Sequence, residues 1–313
     1  MQQHQLVRRR RLLGTFLALG AGAALPGRAV LAQAPAAGLI TRPIQSSGEA
    51  LPVVGLGSWI TFNVGNDPAA RAGCADVMRQ FFAAGGRMID SSPMYGSAQE
   101  VIGDGLRRLG QQPALFAADK VWTGSGRRGL DQIEASRRNW NVPRFHLLQV
   151  HNLLAWQEHL PTLFAMKSAG RLRYVGITTS EGRRHPEVLK IMASQPIDFV
   201  QVTYNVVDRE VEQRILPLAR ERRIAVIANR PFRQGELTQA LARHPLPGWA
   251  AEIGCTAWAQ VLLKFIAAHP AITCAIPATS SVAHVRQNMQ AATGRLPDQA
   301  LRQRIVADVE RLL

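Results

Sequence analysis

A phenol, an ammonium, a carboxylate and an imidazole stand at or just past the ends of three short apolar runs in this chain. Asp90 and Tyr95 lie in Met88-Ile-Asp-Ser-Ser-Pro-Met-Tyr-Gly96, Lys120 in Ala118-Asp-Lys-Val-Trp122, and His151 in Leu147-Leu-Gln-Val-His-Asn152. The chain has three tyrosines (95, 174 and 204), and its 37 basic residues include only four lysines (120, 167, 190 and 264). A lysine closing an apolar run therefore stands out from an arginine-rich background. Together the four groups can protonate a carbonyl oxygen. A free phenol, with a pKa near ~10, is a poor acid or base at neutral pH. An adjacent ammonium favours phenolate and is expected to lower that value, while a carboxylate keeps the ammonium charged. An imidazole can orient the carbonyl through a hydrogen bond. Tyr95 is thus the expected acid in reduction and base in oxidation. None of the four supplies hydride, so the chemistry requires a cofactor.

Such groups need a scaffold that gathers strand ends. Apolar, strand-like runs occur at 53–57, 87–90, 115–119, 146–150, 174–177, 199–202, 225–228 and 273–276. Helix-period segments alternate with most of them, at 70–84, 98–109, 130–140, 156–169, 185–193, 209–221 and 256–268, and 299–313 reads as a terminal amphipathic helix. This alternation predicts an α/β fold, a (β/α)8 TIM barrel. Leu39–Ile44 and Leu51–Gly55 flank Ser46-Ser-Gly-Glu49 and predict a β-hairpin before it. Several strands are continuous apolar runs, as parallel strands covered on both faces should be. Active groups of a barrel collect at the C-terminal ends of its strands. Asp90, Lys120 and His151 end the second, third and fourth runs, and Tyr95 follows in a loop. A doubly wound sheet would want Gly-x-Gly-x-x-Gly after its first strand, but Gly55-Leu-Gly57 is followed by Ser-Trp-Ile. A metal-dependent barrel hydrolase built on His151 and Asp90 would want a His-x-His pair or a carboxylate cluster, so no metal site is expected.

Residues 1–34 read as an export signal, and 35–313 as the barrel domain. Arg8-Arg-Arg-Arg11 precedes an apolar stretch, Leu12–Leu25, that is too short to span a bilayer well. Val30-Leu-Ala32 and Ala32-Gln-Ala34 offer cleavage sites. Arg9-Arg10 followed by Arg11-Leu12-Leu13 resembles a twin-arginine signal. The twin-arginine export machinery is therefore an expected partner, and the periplasm the expected location. Removing the five arginines of residues 1–34, which hold no acid, lowers the formal charge from +15 to +10. The remaining positive charges are scattered over helices without a Lys/Arg run, so no nucleic-acid partner is expected. Cys74, Cys255 and Cys274 are odd in number and lack metal-ligand spacing, which predicts buried free thiols.

These residues, in this order, resemble the aldo-keto reductase superfamily over about residues 39–310. The Asp-x-x-x-x-Tyr spacing, the Lys and His closing the next two strands, and Gly55-Leu-Gly-Ser-Trp59 are similar to the family pattern. The resemblance implies a nicotinamide cofactor bound without a separate dinucleotide-binding domain, and a small carbonyl or alcohol substrate. Gly176-Ile-Thr-Thr-Ser180 resembles the segment that holds the cofactor carboxamide, which implies that role for Thr178 and Thr179, with Gln201 contacting the same group. Asn229-Arg-Pro-Phe232 resembles Tyr-Ser-Pro-Leu. It sets Asn229 where a tyrosine usually stacks on the nicotinamide, and leaves Arg230 to stack by its guanidinium or meet the pyrophosphate, with Phe232 beside it. Ile276-Pro-Ala-Thr-Ser-Ser281 and His284-Val-Arg-Gln-Asn288 resemble the adenosine-phosphate segment, implying Thr279, Ser280, Arg286 and Asn288. Ala278 and His284 stand where many members have Lys and Arg, with Arg286 as the compensating cation. NADP(H) is expected over NAD(H). Trp59, Met94 and Trp122 are expected to line an apolar substrate mouth with Asn152 at its edge. An exported reductase would meet little free cofactor, so turnover would need a tightly held cofactor or a redox partner. The alternative is a nicotinamide-binding redox sensor or accessory subunit.

Overall fold

The computed structural model describes residues 38–313 except 111 and 113, so the expected export signal lies outside the described residues. The chain opens with an antiparallel hairpin, β1 (Thr41–Pro43) against β2 (Ala50–Pro52). Eight parallel strands follow: β3 (Leu56–Gly57), β4 (Met88–Asp90), β5 (Phe116–Val121), β6 (Leu147–His151), β7 (Tyr174–Thr178), β8 (Phe199–Thr203), β9 (Ala225–Asn229) and β10 (Cys274–Ala275). Each pairs with the next in sequence. Bridges Val54–Ala275 and Gly57–Ala278 join the two edge strands. Backbone N–H groups of Gly55 and Gly57 donate across this joint to Ala275 and Pro277 carbonyls at 2.8 and 2.9 Å. A Cβ on Gly57 would sit 2.8 Å from the Ile276 carbonyl oxygen, so the joint closes only around glycine.

The hairpin seals the N-terminal end of the barrel. Ile44 and Leu51 are buried in one cluster with Met88, Phe116, Leu147, Tyr174, Phe199 and Ala225, the first residues of β4 to β9. Glu49, in the hairpin turn, fastens it to Arg87 Nη2 at 2.9 Å, to Arg173, and to the Tyr174 hydroxyl at 2.8 Å.

Helices cover the outside: α1 (Pro68–Ala83), α2 (Ala98–Leu109), α3 (Gly126–Trp140), α4 (Trp156–Ser168), α5 (His185–Ser194), α6 (Ile215–Glu221), α7 (Glu236–Leu241), α8 (Trp258–Ala267), α9 (Val282–Gln290) and α10 (Gln299–Leu312). The Asp67 carboxylate caps α1 by accepting from Ala69 N–H at 2.8 Å, with Pro68 at the first helical position, where its missing donor costs nothing. The helix expected over 209–221 is instead a 3-10 turn, Glu210–Glu212, followed by α6. Pro217 explains the break. A continuous helix would need its N–H to bond Gln213, whereas in the first turn of α6 no such donor is required. The six-residue α7 is too short to leave a periodic signal.

Candidate active site

The expected four groups meet at the C-terminal end of the barrel. Asp90 and Lys120 are 2% and 0% exposed. The Lys120 ammonium donates to Asp90 Oδ2 at 2.5 Å and to the Ser91 carbonyl at 2.7 Å. Asp90 Oδ1 accepts from Gln201 Nε2 at 3.0 Å and Gln149 Nε2 at 3.3 Å. Gln149, missed in the sequence, reaches in because its neighbour on β7 is Gly176, where a Cβ would lie 3.1 Å from Gln149 Cγ. Burial disfavours the Lys120 charge most, but Asp90, Tyr95 and Asp119 together outweigh it and hold the ammonium above its ordinary pKa. The ammonium sits 5.2 Å from the Tyr95 ring centroid.

Tyr95 departs from expectation. Its ring keeps part of its surface open to the cavity but is crowded by protein elsewhere. That burial raises the phenol above its ordinary value, and Lys120 opposes the rise without reversing it. The hydroxyl therefore stays protonated at neutral pH, the form a proton donor needs.

His151 is 6% exposed and packs edge-on against Tyr95, centroids 5.8 Å apart. Its Nδ1 lies 2.7 Å from Ser92 Oγ. Burial, and then the Lys120 charge, depress the imidazole to about 3, so it is neutral at any ordinary pH. Ser92 stands two residues past Asp90. Only its place in the Asp-Ser-Ser-Pro turn marked it in the sequence.

A cavity of about 800 Å³ opens over these groups, within the size range of small-molecule and cofactor sites. Trp59, Met94 and Asn152 line its mouth, and Trp122, 40% exposed, stands 6.4 Å from the His151 ring. The cavity continues past Thr178, Gln201, Asn229, Arg230 and Phe232 to Thr279 and Ser280, just before the start of α9, with Asn288 further along that helix. Thr179 and Arg286 lie off its wall. Thr179 Oγ1 is buried without a hydrogen-bond partner, and Arg286 Nε donates to Gln80 Oε1 on α1 at 3.0 Å. Thr178 Oγ1 donates to Gln201 Oε1 at 3.0 Å, and Asn229 Nδ2 to the Thr179 carbonyl at 2.9 Å. Each amide nitrogen keeps a second hydrogen to offer. Arg230, at φ 51°, pairs with Glu181 Oε1 at 2.9 Å. The sequence did not mark Glu181. The wall thus carries amide donors near Tyr95, a cation midway and a helix N-terminus at the far end. This donor set fits an elongated ligand with a carboxamide at one end and phosphates beyond it.

The aldo/keto reductase family model matches residues 53–304 of this chain. Over 251 residues the chain is 28% identical to the methylglyoxal reductase YeaE of Escherichia coli, covering 78% of this chain and 87% of that protein. It is 25% identical over 247 residues to the NADH-specific methylglyoxal reductase of the same organism, covering 66% of this chain and 72% of that protein. Among solved structures, an aldo-keto reductase from Klebsiella pneumoniae in complex with NADPH superposes with a TM-score of 0.71 at 25% identity, covering 88% of this chain and 95% of that one.

Proposed function

The chain belongs to the aldo/keto reductase family, and on that premise we propose that it reduces a small aldehyde or ketone to an alcohol with a nicotinamide cofactor. The observation that carries this reading is the convergence of Tyr95, His151 and the Lys120–Asp90 pair on a cavity that runs on to the N-terminus of α9. The cofactor, when bound, supplies the hydride. Thr178, Gln201 and Asn229 would hold its carboxamide end, and Arg230, Thr279 and Ser280 its phosphates. Tyr95 gives the proton. Lys120 stabilises the phenolate left behind, and Asp90 keeps that ammonium charged and fixed. Ser92 Oγ accepts from Met94 N–H at 3.2 Å and, on this proposal, gives its hydroxyl hydrogen to His151 Nδ1, 2.7 Å away. The imidazole then carries its proton on Nε2, as a neutral donor that orients the carbonyl oxygen beside Tyr95.

Trp59, Met94 and Trp122 favour a small, largely apolar carbonyl compound. Methylglyoxal, in the names of two relatives, is the substrate to try first. NADP(H) is favoured by the helix N-terminus with Thr279 and Ser280, and by the NADPH complex of the Klebsiella relative. NAD(H) is the second reading, favoured by the Arg286 side chain being bonded to Gln80. Export by the twin-arginine route to the periplasm, with cofactor loaded before translocation, is part of the same proposal. A sensor or accessory role with little turnover is supported by Asn229 standing where an aromatic platform is usual.

The test is absorbance of the reduced nicotinamide, followed on adding methylglyoxal and a panel of aldehydes to wild type and to Tyr95→Phe. Oxidation of NADPH in preference to NADH by wild type alone is the expected result. Tight cofactor binding with no aldehyde turned over would favour the sensor, and no binding of either nucleotide would overturn the proposal. Fractionation of cells carrying Arg9→Lys with Arg10→Lys tests the export route: the altered protein is expected to stay in the cytoplasm.

A further inference from the structure

Behind Lys120 lies a buried polar cluster that the reaction described above does not use. Adjacent residues on a strand point to opposite faces. Lys120 turns inward to Asp90, and Asp119 turns outward to the helices. Asp119 is 0% exposed, Gln99 4% and Ser136 1%. Asp119 Oδ2 accepts from Gln99 Nε2 at 2.7 Å, and its Oδ1 accepts from the Lys120 backbone N–H at 2.8 Å. Gln99 Nε2 also donates to Ser136 Oγ on α3 at 2.9 Å. Gln99 is the second residue of α2, four residues after Tyr95, and Asp119 is the neighbour of Lys120 on β5. One buried hydrogen bond thus ties the segment that carries the phenol to the strand that carries the ammonium. Burying a carboxyl here is costly. A satisfied buried network in return specifies one geometry.

We propose that Asp119 and Gln99 are positioning residues for the proton donor, holding Tyr95 and Lys120 in register from behind the barrel wall. The inference rests on the reductase reading and names a support that the four reacting groups require. The charged groups acting on Asp119 are Lys120 and Asp90; Gln99 is its neutral partner, and Gln99 is itself bonded to Ser136 Oγ at 2.9 Å and by Asn139 Nδ2 at 3.5 Å. Burial first, against the pull of Lys120, pushes the Asp119 carboxyl up to about 7. Its charge in turn helps raise the Tyr95 phenol. Below that pH Asp119 is mostly neutral. Asparagine then copies its shape and charge, and the Gln99 amide can turn over to match it provided that the Asn139 amide turns with it.

The test uses Asp119→Asn, Asp119→Ala and Gln99→Met, with two readouts. One is kcat and cofactor KM for carbonyl reduction at pH 6. The other is ionisation of the Tyr95 phenol by ultraviolet difference titration against Tyr95→Phe, which needs no turnover. Asp119→Asn is expected to keep kcat, while Asp119→Ala and Gln99→Met lower it about tenfold or more with KM little changed. The phenol midpoint is expected to fall in Asp119→Asn, where a neighbouring negative charge is gone. It is expected to rise in Gln99→Met, where the ammonium is no longer held close. A folded Gln99→Met with wild-type kcat and midpoint overturns the proposal. Should that variant not fold, equal kcat in Asp119→Asn and Asp119→Ala overturns it. Wild type that reduces no carbonyl overturns the reductase reading instead, and the phenol titration still decides the clamp.

Discussion

Each of the three tyrosines sits with a carboxylate, a cation and a histidine, and of the three only Tyr95 lines the large cavity. At the barrel floor Tyr174 has Glu49, Arg173 and, in the same cluster, His146. Against α8 and α10, Tyr204 has Glu212, Arg302 and His269, whose ring centroid is 5.7 Å away. Burial raises all three phenols. The difference lies in what the hydroxyl does. Tyr174 donates to Glu49 and shares a 2.7 Å bond with Ser47, and Tyr204 donates to Glu212 while accepting from Arg302 at 2.6 Å. Those hydroxyls are consumed in holding the fold. At Tyr95 the carboxylate and ammonium bond each other, so the phenol is left to face the cavity. The cation differs too. Arginine's planar fork suits a fixed pair, and lysine's compact charge suits one that acts on a neighbour. The same kinds of group therefore make a bolt or, as proposed for Tyr95, a proton donor according to where their bonds are spent.

The strongest way to break this comparison is to remove each hydroxyl in turn. Tyr95→Phe is expected to cut carbonyl reduction by about 10²–10⁴-fold with cofactor affinity kept. Tyr174→Phe and Tyr204→Phe should stay within a few-fold of wild type in steady-state assays. Equal losses at all three would erase the distinction.

Removing the cations probes the next largest effect. Lys120→Met leaves the Asp90 carboxylate buried and unpaired, and should cost about 3–5 kcal/mol in urea unfolding. Glu49→Gln at the floor should cost less, about 1–2 kcal/mol, because its arginines keep 29% and 35% of their side-chain surface in solvent. A floor variant losing more than Lys120→Met would mean that the hairpin seal, and not the active pair, is the more demanding ion site.

The histidines set the pH dependence. His151 is lowered to about 3, and His146 and His269 to about 4, each first by burial. The unfolded chain takes these protons near ~6.5 and the folded one refuses them. The stability they contribute is full above that value and is lost as pH falls toward 4. Melting temperature should therefore decline progressively below about pH 6.5. Asp119, raised to about 7, has the opposite sign. The fold binds its proton more tightly than the unfolded chain, so it offsets part of the decline. Asp119→Asn should make the acid decline steeper. An unchanged slope would show that Asp119 titrates alike in both states. The smallest effect belongs to Tyr204→Phe, about 1 kcal/mol, since Arg302 still holds Glu212 at 2.9 Å.

Much of this was open to reading along the chain. The eight strands and the hairpin lie where period and turn residues set them, because a strand's alternation and a helix's period are local properties. That Asp90, Tyr95, Lys120 and His151 meet could be expected because the end of a parallel strand in a barrel is an address. The 3-10 break before α6 had a visible cause in Pro217. Gln149, Ser92, Gln99 and Asp119 were not picked out, since a glutamine or serine inside an apolar run looks the same whether it bonds a catalytic group or a backbone carbonyl. Lys264 shows the converse. It too follows apolar residues, Val261-Leu-Leu263, but its ammonium is spent on the carbonyls of Ile253, Thr293 and Arg295.

The sequence by itself determined the order of elements, the strand ends and the kinds of group available there, because these follow from short-range covalent geometry and from where apolar residues repeat. Only the tertiary structure decided which of three similar sets would face the cavity. It spent the Tyr174 hydroxyl on Glu49 from a distant segment, and the Tyr204 hydroxyl on nearby Glu212 and distant Arg302. It turned Arg286 to Gln80 and away from the cavity, and it raised the Tyr95 phenol by burial where the neighbouring ammonium alone would have lowered it. Those outcomes depend on contacts between residues far apart in the chain, 125 positions for Tyr174 with Glu49 and 206 for Arg286 with Gln80. No local pattern encodes them.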